Sequence, residues 1–269
     1  MRLVTLALAL GLAGCVAPPP GTAPPTPSTP ALSGNAPFAF NFTSPSCQET
    51  DLLFFVDTPT AQKLLPPGFH AADATGLVGS LPAASGKSVY VVADIVCASS
   101  TIGPIGESAF GVFVDPPKVN GSRAAATFDF YEPYRYVDGA NESAPFAAMG
   151  WDAGPGRVTS TATPTGGAST LQANSTTLLT ATLTIPPPGA AFSGIGRFWH
   201  ATALGLGYMD YKAASNQRLG GADCTLADGS PYAKLAGTTT CAPGSTAGMM
   251  FDPYKLDASI VNLPGATAS

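Results

Sequence analysis

The stretch Asp51-Leu52-Leu53-Phe54-Phe55-Val56-Asp57, followed by Thr58-Pro59-Thr60-Ala61-Gln62-Lys63-Leu64-Leu65-Pro66-Pro67-Gly68-Phe69, sets the reading of the fold. Five consecutive apolar residues between two aspartates are too few for a buried helix. Their aromatic and branched side chains suit a strand covered on both faces. Thr58 then stands where a helix N-cap belongs, with Pro59 at the first helical position. Ala61, Leu64 and Leu65 give one or two turns an apolar side, and Pro66-Pro67-Gly68 stops them.

Working outward from this unit, the pattern is mostly β. Ser88 to Ala98, Ala109 to Val114, Ala124 to Phe130 and Leu178 to Ile185 are β-branched or aromatic runs bounded by Gly and Pro. Thr180 to Ile185 alternates polar and apolar, as an antiparallel strand with one wet face does. No helical period is sustained beyond residue 65, except for a short piece around Phe146 to Gly150, and no repeat is present. The expected architecture is mainly β, a single β-rich domain over 38–269 with one or two short helices.

The N-terminal end adds an address. Arg2 precedes an uncharged run from Leu3 to Gly14, too short to span a bilayer core, which needs ~20 helical residues. A charged start, a short apolar segment and small residues before a cut point describe a secretory signal. Leu12-Ala13-Gly14-Cys15 resembles the lipobox of prokaryotic lipoproteins. That resemblance implies a signal peptide over 1–14, cleavage before Cys15 and a diacylglyceryl group on its sulfur. Residues 15–37, rich in Pro and Thr, have no apolar pattern to bury and read as an extended tether. The implied location is extracytoplasmic, held to the cell membrane or, since Val16 is not Asp, to an outer membrane.

Loss of Arg2 with the signal leaves eleven basic residues against seventeen acidic ones, a net charge of −6. There is no basic cluster, so nucleic-acid binding has nothing to rest on. Four cysteines remain besides Cys15, none at Cys-x-x-Cys spacing, and two histidines make a poor zinc set. An even number in an oxidising compartment favours two disulfides. Of the three possible pairings, Cys224–Cys241 is favoured because it closes a polar loop, and Cys47–Cys97 follows by remainder. His70 and His200 each read as a base or as a packed structural residue, and Trp199, Tyr208 and Tyr211 as core or as a ligand platform. Of four Asn-x-Ser/Thr triplets, Asn120-Gly121-Ser122 is the one shaped like an exposed turn and the conditional glycosylation candidate. No Gly-x-Ser-x-Gly, His-Glu-x-x-His or phosphate-cradling glycine motif occurs, and no cofactor or metal is called for.

One resemblance covers roughly Cys47 to Pro117. The run Leu52 to Val56, the short helix ending in Leu64-Leu65-Pro66-Pro67-Gly68-Phe69, and Ala93-Asp94-Ile95-Val96 followed by Glu107 to Val114 resemble acetoacetate decarboxylase-like proteins. The resemblance implies a β-barrel, with Asp94 and Glu107 as the two acids facing a ligand. It also implies a lysine pair around Asn141 to Trp151 and an arginine near the start of the first strand. Neither is present: the first stretch reads Asn141-Glu142-Ser143-Ala144-Pro145-Phe146, and Cys47 or Gln48 stands near the second place. A Schiff-base decarboxylase needs an amine of lowered pKa. The expectation is therefore a lipid-anchored envelope protein whose barrel binds a small molecule without that reaction. Two alternatives stay open: a structural or adhesive β-sandwich without a pocket, and an enzyme using Asp94 and Glu107 as acid and base.

Overall fold

A computed structural model describes residues 38–119, 125–151, 153–187, 189–202 and 204–268. The stretches read from the sequence as signal peptide and tether, with Cys15 and Asn120, lie outside the described residues.

Seven strands close into a barrel: β1 (Phe38–Val56), β2 (Ser88–Cys97), β3 (Ile105–Val114), β4 (Phe128–Val137), β9 (Ala190–Thr202), β10 (Gly205–Leu226) and β11 (Thr246–Pro264). The order is β11-β1-β2-β3-β4-β9-β10, and β10 pairs back onto β11. Every joint is antiparallel except β4–β9, which is parallel over four residue pairs. Closure leaves this sheet without free edges. It also separates the molecule from the sandwich alternative, whose two sheets would stay open.

The last six residues of β10 leave the barrel and pair with β8 (Thr176–Thr184). With β7 (Gly166–Ala173) and β6 (Arg157–Thr163) this makes a three-stranded antiparallel extension. The short β5 (Ala153–Pro155) runs parallel to β4. Because side chains alternate across a strand, β1 to β3 serve two cores at once. Leu53, Phe55, Val91 and Ala93 point into the barrel, whereas Leu52, Phe54, Tyr90 and Val92 pack outward against Leu171, Leu179 and Leu183 of the extension. That is why Leu52 to Val56 reads as one unbroken apolar run.

Gly111 faces the barrel interior, where an added Cβ would lie 3.1 Å from the Phe198 ring and 3.2 Å from Phe130. Its missing side chain leaves room for those two rings to stack at 4.9 Å.

The helices are α1 (Thr58–Gln62), α2 (Thr75–Val78), α3 (Ala140–Ala148) and α4 (Pro231–Ala236). There are four among the described residues, where the sequence suggested one or two, because α2 and α4 are too short to show a period. The N-cap of α1 is Asp57, one residue earlier than the sequence suggests. The Asp57 carbonyl accepts from the Thr60 and Ala61 N–H groups, while its carboxylate takes Lys87 Nζ at 2.6 Å. Ser230 caps α4 by accepting from the Ala233 N–H at 3.1 Å, and Gly237 ends it in the left-handed region. Both disulfides are present, Cys47–Cys97 joining β1 to β2 and Cys224–Cys241 closing the loop around α4.

Candidate functional site in the barrel interior

An irregularity in β4 builds the first part of the site. Phe110 pairs with Tyr134 but Val112 pairs with Tyr131, so β4 carries one extra residue there. Pro133 sits in this bulge, where a missing N–H costs no ladder bond. The extra residue turns both Glu132 and Arg135 inward. Arg135 Nε donates to Glu132 Oε1 at 2.9 Å, its Nη2 reaches Glu132 Oε2, and its Nη1 meets Glu107 Oε2 and the Tyr211 hydroxyl. All of these groups are buried. Burial opposes the guanidinium's charge, but Glu132, and then Tyr211 and Glu107, outweigh it and hold Arg135 protonated above its already high ordinary value.

The rest of the shell is aromatic. Trp151 Nε1 donates to Glu132 Oε1 at 3.0 Å, and the Trp151 and His200 rings stack at 4.9 Å. His200 Nδ1 lies 2.6 Å from the Glu132 carbonyl. The rings of Phe146, Tyr211, Phe198 and Trp151 stand 5.2–5.9 Å from the guanidinium carbon.

Helix α3 lies where the family resemblance places a lysine pair, and it brings Glu142 and Phe146 against this centre. Burial, and then the neighbouring Glu107, push the Glu142 carboxyl well above the ordinary glutamate value. As carboxylates, Glu142 and Glu107 would leave Glu142 Oε1 and Oε2 and Glu107 Oε1 without partners. A proton kept on Glu142 and donated to Glu107 resolves the conflict. Arg135 is then matched by Glu107 and Glu132, with Glu142 neutral.

A second acid pair lies on β1. Glu49 and Asp51 share the inward face with Cys47, whose disulfide closes that side two residues before Glu49. Glu49 accepts from the Tyr254 hydroxyl at 2.5 Å. Burial raises the Glu49 carboxyl to about 7, against the lowering effect of that hydrogen bond. Asp51 is raised well above the usual range, by burial first and by Glu49 and Asp94 next. Both acids line a cavity of about 50 Å³ together with Tyr211, Phe130, Phe198 and Met249. Asp51, Tyr211, Phe130, Phe198 and Met249 are buried, while Glu49, Phe128, Phe192 and Gln217 are partly exposed.

The two acids singled out from the sequence do not meet. Asp94 pairs in register with Ser108, and Glu107 with Ile95, so the acids face opposite sides of the sheet. Glu107 points into the barrel. Asp94 points outward, accepts from Ser169 Oγ at 2.6 Å beneath the extension, and is raised to about 6 by burial. Asp94 and Glu107 therefore do not form one acid–base pair. His70 is exposed, whereas Trp199 and Tyr208 belong to an outer-face cluster in which Trp199 Nε1 donates to Asp129 at 2.7 Å.

Sequence reasoning missed Arg135, Glu132, Glu49 and Asp51. A trace was available in Phe128-Asp129-Phe130-Tyr131-Glu132-Pro133-Tyr134-Arg135-Tyr136-Val137, where two opposite charges flank a proline inside an otherwise aromatic strand. None of the six lysines reaches the interior: Lys63, Lys118, Lys212, Lys234 and Lys255 are exposed, and Lys87 is partly exposed. Among the described residues no cluster of His, Cys, Asp and Glu has the arrangement of a metal site.

No known protein family matches the chain by sequence, and no curated protein does. Solved structures match by shape, and the fold they share with this chain is the acetoacetate decarboxylase-like barrel. The enduracididine biosynthesis enzyme MppR with HEPES bound aligns over 93% of this chain and 97% of its own, at TM-score 0.57 and 15% identity. An acetoacetate decarboxylase-like enzyme from Sphingomonas wittichii RW1 aligns over 93% and 98%, at TM-score 0.54 and 17% identity. Acetoacetate decarboxylase from Legionella pneumophila aligns over 90% and 92%, at 0.54 and 13%. At these identities the likeness is one of fold.

Proposed function

We propose that this is a lipid-anchored envelope protein whose barrel binds a small molecule and does not decarboxylate keto acids through a Schiff base. The observation that carries the reading is the inventory of the interior. A cavity is present, its surroundings hold an arginine already engaged by two glutamates, and every lysine stands at the surface. An exposed lysine with a pKa of ~10.4 is mostly protonated at neutral pH and is a poor amine nucleophile. Glu107 beside α3 would stabilise an ammonium rather than strip its proton. The lipobox resemblance at Cys15 supports the anchor, and two disulfides are compatible with an extracytoplasmic location.

The test is incubation with acetoacetate and borohydride followed by intact mass measurement. An unchanged mass, with no carbon dioxide released, is the expected result. A stoichiometric adduct on one lysine, Lys212 for example, would restore the decarboxylase reading.

A further inference from the structure

Among the described residues, the barrel interior holds five carboxyl groups, those of Glu49, Asp51, Glu107, Glu132 and Glu142, and one guanidinium, that of Arg135. The guanidinium is satisfied by Glu132 and Glu107 and does not line the cavity. The cavity wall instead carries Glu49 and Asp51. Asp51 is 2% exposed, and apart from its hydrogen bond with the neighbouring Glu49 carboxyl its Oδ1 has no partner. Around these acids stand Phe128, Phe192, Phe198 and Phe251, whose ring faces carry partial negative charge.

Two electrostatic features of this wall thus have the same sign. An anionic ligand would meet two acids and no available cation there. An organic cation would find two neighbouring carboxyls that hydrogen-bond each other, in a wall otherwise lined by aromatic and aliphatic side chains. The partly open space of about 50 Å³ suits a compact head, since in the same measure one water needs ~10–15 Å³.

We infer that the cavity is a site for a small organic cation, an alkylammonium head held between Glu49 and Asp51, and not for a keto acid. This rests on the reading of the barrel as a small-molecule binder and names its ligand class. Binding of the cation displaces the proton that the acid pair holds in the empty site. The groups facing that pair are Tyr254 of β11, Glu107 of β3 and Tyr211 of β10, with Asp94 of β2 acting on Asp51 from the other side of the sheet. None of them is a cation, so ionisation of the pair follows the arriving charge.

Three probes of similar size and different charge decide the matter: butylammonium, 1-butanol and butanoate, titrated into the full chain and read by ligand-observed NMR. Butylammonium is expected to bind about tenfold or more tighter than 1-butanol, as a hydrogen bond to a charged group allows. Its affinity should rise as pH passes through about 7, while that of 1-butanol stays flat. Glu49→Gln combined with Asp51→Asn should bring the two affinities together; if that variant does not fold, the pH comparison on the unaltered protein stands alone. Equal binding of butylammonium and 1-butanol, or tighter binding of butanoate, overturns the cation assignment while leaving a binding barrel. If none of the three binds, the small-molecule reading falls and this inference falls with it.

Discussion

Glu132 and Arg135 stand three residues apart on β4 and still meet inside the barrel, with Nε 2.9 Å from Oε1. On a regular strand an odd spacing sends two side chains to opposite faces. The extra residue at Pro133 cancels that alternation. One irregularity in the ladder thereby places a cation and its counter-charge together in the barrel interior. The arrangement has measurable consequences.

Replacing Arg135 with Met should destabilise the fold by ~3–5 kcal/mol, because Glu107 and Glu132 remain buried without their cation. Arg135→Lys should recover little, since an ammonium cannot serve Glu132 through two nitrogens while also reaching Glu107. Urea unfolding measures both. Adding Glu107→Gln and Glu132→Gln to the Met variant should return part of the loss. Equal stability of the Met variant and the parent would mean that this charge centre does not hold the interior together.

The raised acids give stability a pH dependence of definite sign. Glu49 titrates at about 7 in the folded protein against an ordinary 4.5, and Asp94 at about 6 against 3.8. The folded protein therefore holds protons in that window that the unfolded chain has released. Their contribution is fully present below the ordinary values and is lost as pH rises to about 6–7. Urea midpoints should fall between pH ~4.5 and ~7.5, and Glu49→Gln should flatten the upper part of the slope. A midpoint that rises across this range would contradict the assignment.

The disulfides should differ in weight. Cys47–Cys97 spans 50 residues and Cys224–Cys241 spans 17. In the chain-entropy model their removal costs ~4 and ~3 kcal/mol, so losing the first should hurt more by ~1 kcal/mol. Paired Cys→Ser variants compared by thermal unfolding test the order. Alkylation without reductant, followed by mass spectrometry, should find no reactive thiol at any of the four.

The anchor is tested separately from the barrel. Cys15→Ser should abolish labelling by a radioactive fatty acid and leave the chain uncut or released. Equal labelling of the variant and the parent would remove the lipoprotein assignment without touching the interior chemistry.

The strand–helix unit at 51–69 was legible because its information is local: an unbroken apolar run, a proline at a helix start and a proline–glycine stop. The disulfide partners followed from parity and from the polar loop between Cys224 and Cys241, with Cys47 and Cys97 left as the remainder. Strands β9 to β11 were harder to see, since Gly, Ser and Ala dilute their apolar alternation. Asp94 and Glu107 illustrate the boundary. The sequence puts each on a β-rich stretch, but one acid faces the extension and the other the barrel, and only the pairing register decides which.

By itself, then, the sequence determined that the chain is β-rich, has an N-terminal stretch resembling a lipoprotein signal, has no lysine between Lys118 and Lys212, and has cysteines enough for two bridges. Tertiary structure alone decided that the sheet closes, that a bulge turns Glu132 and Arg135 inward together, and that Glu49 and Asp51 line one cavity with several phenylalanines. The physical reason is that propensity and composition act between neighbours along the chain. A buried charge is defined by what surrounds it, and here those surroundings come from strands as much as 200 residues apart, as the Tyr254–Glu49 hydrogen bond with its separation of 205 shows.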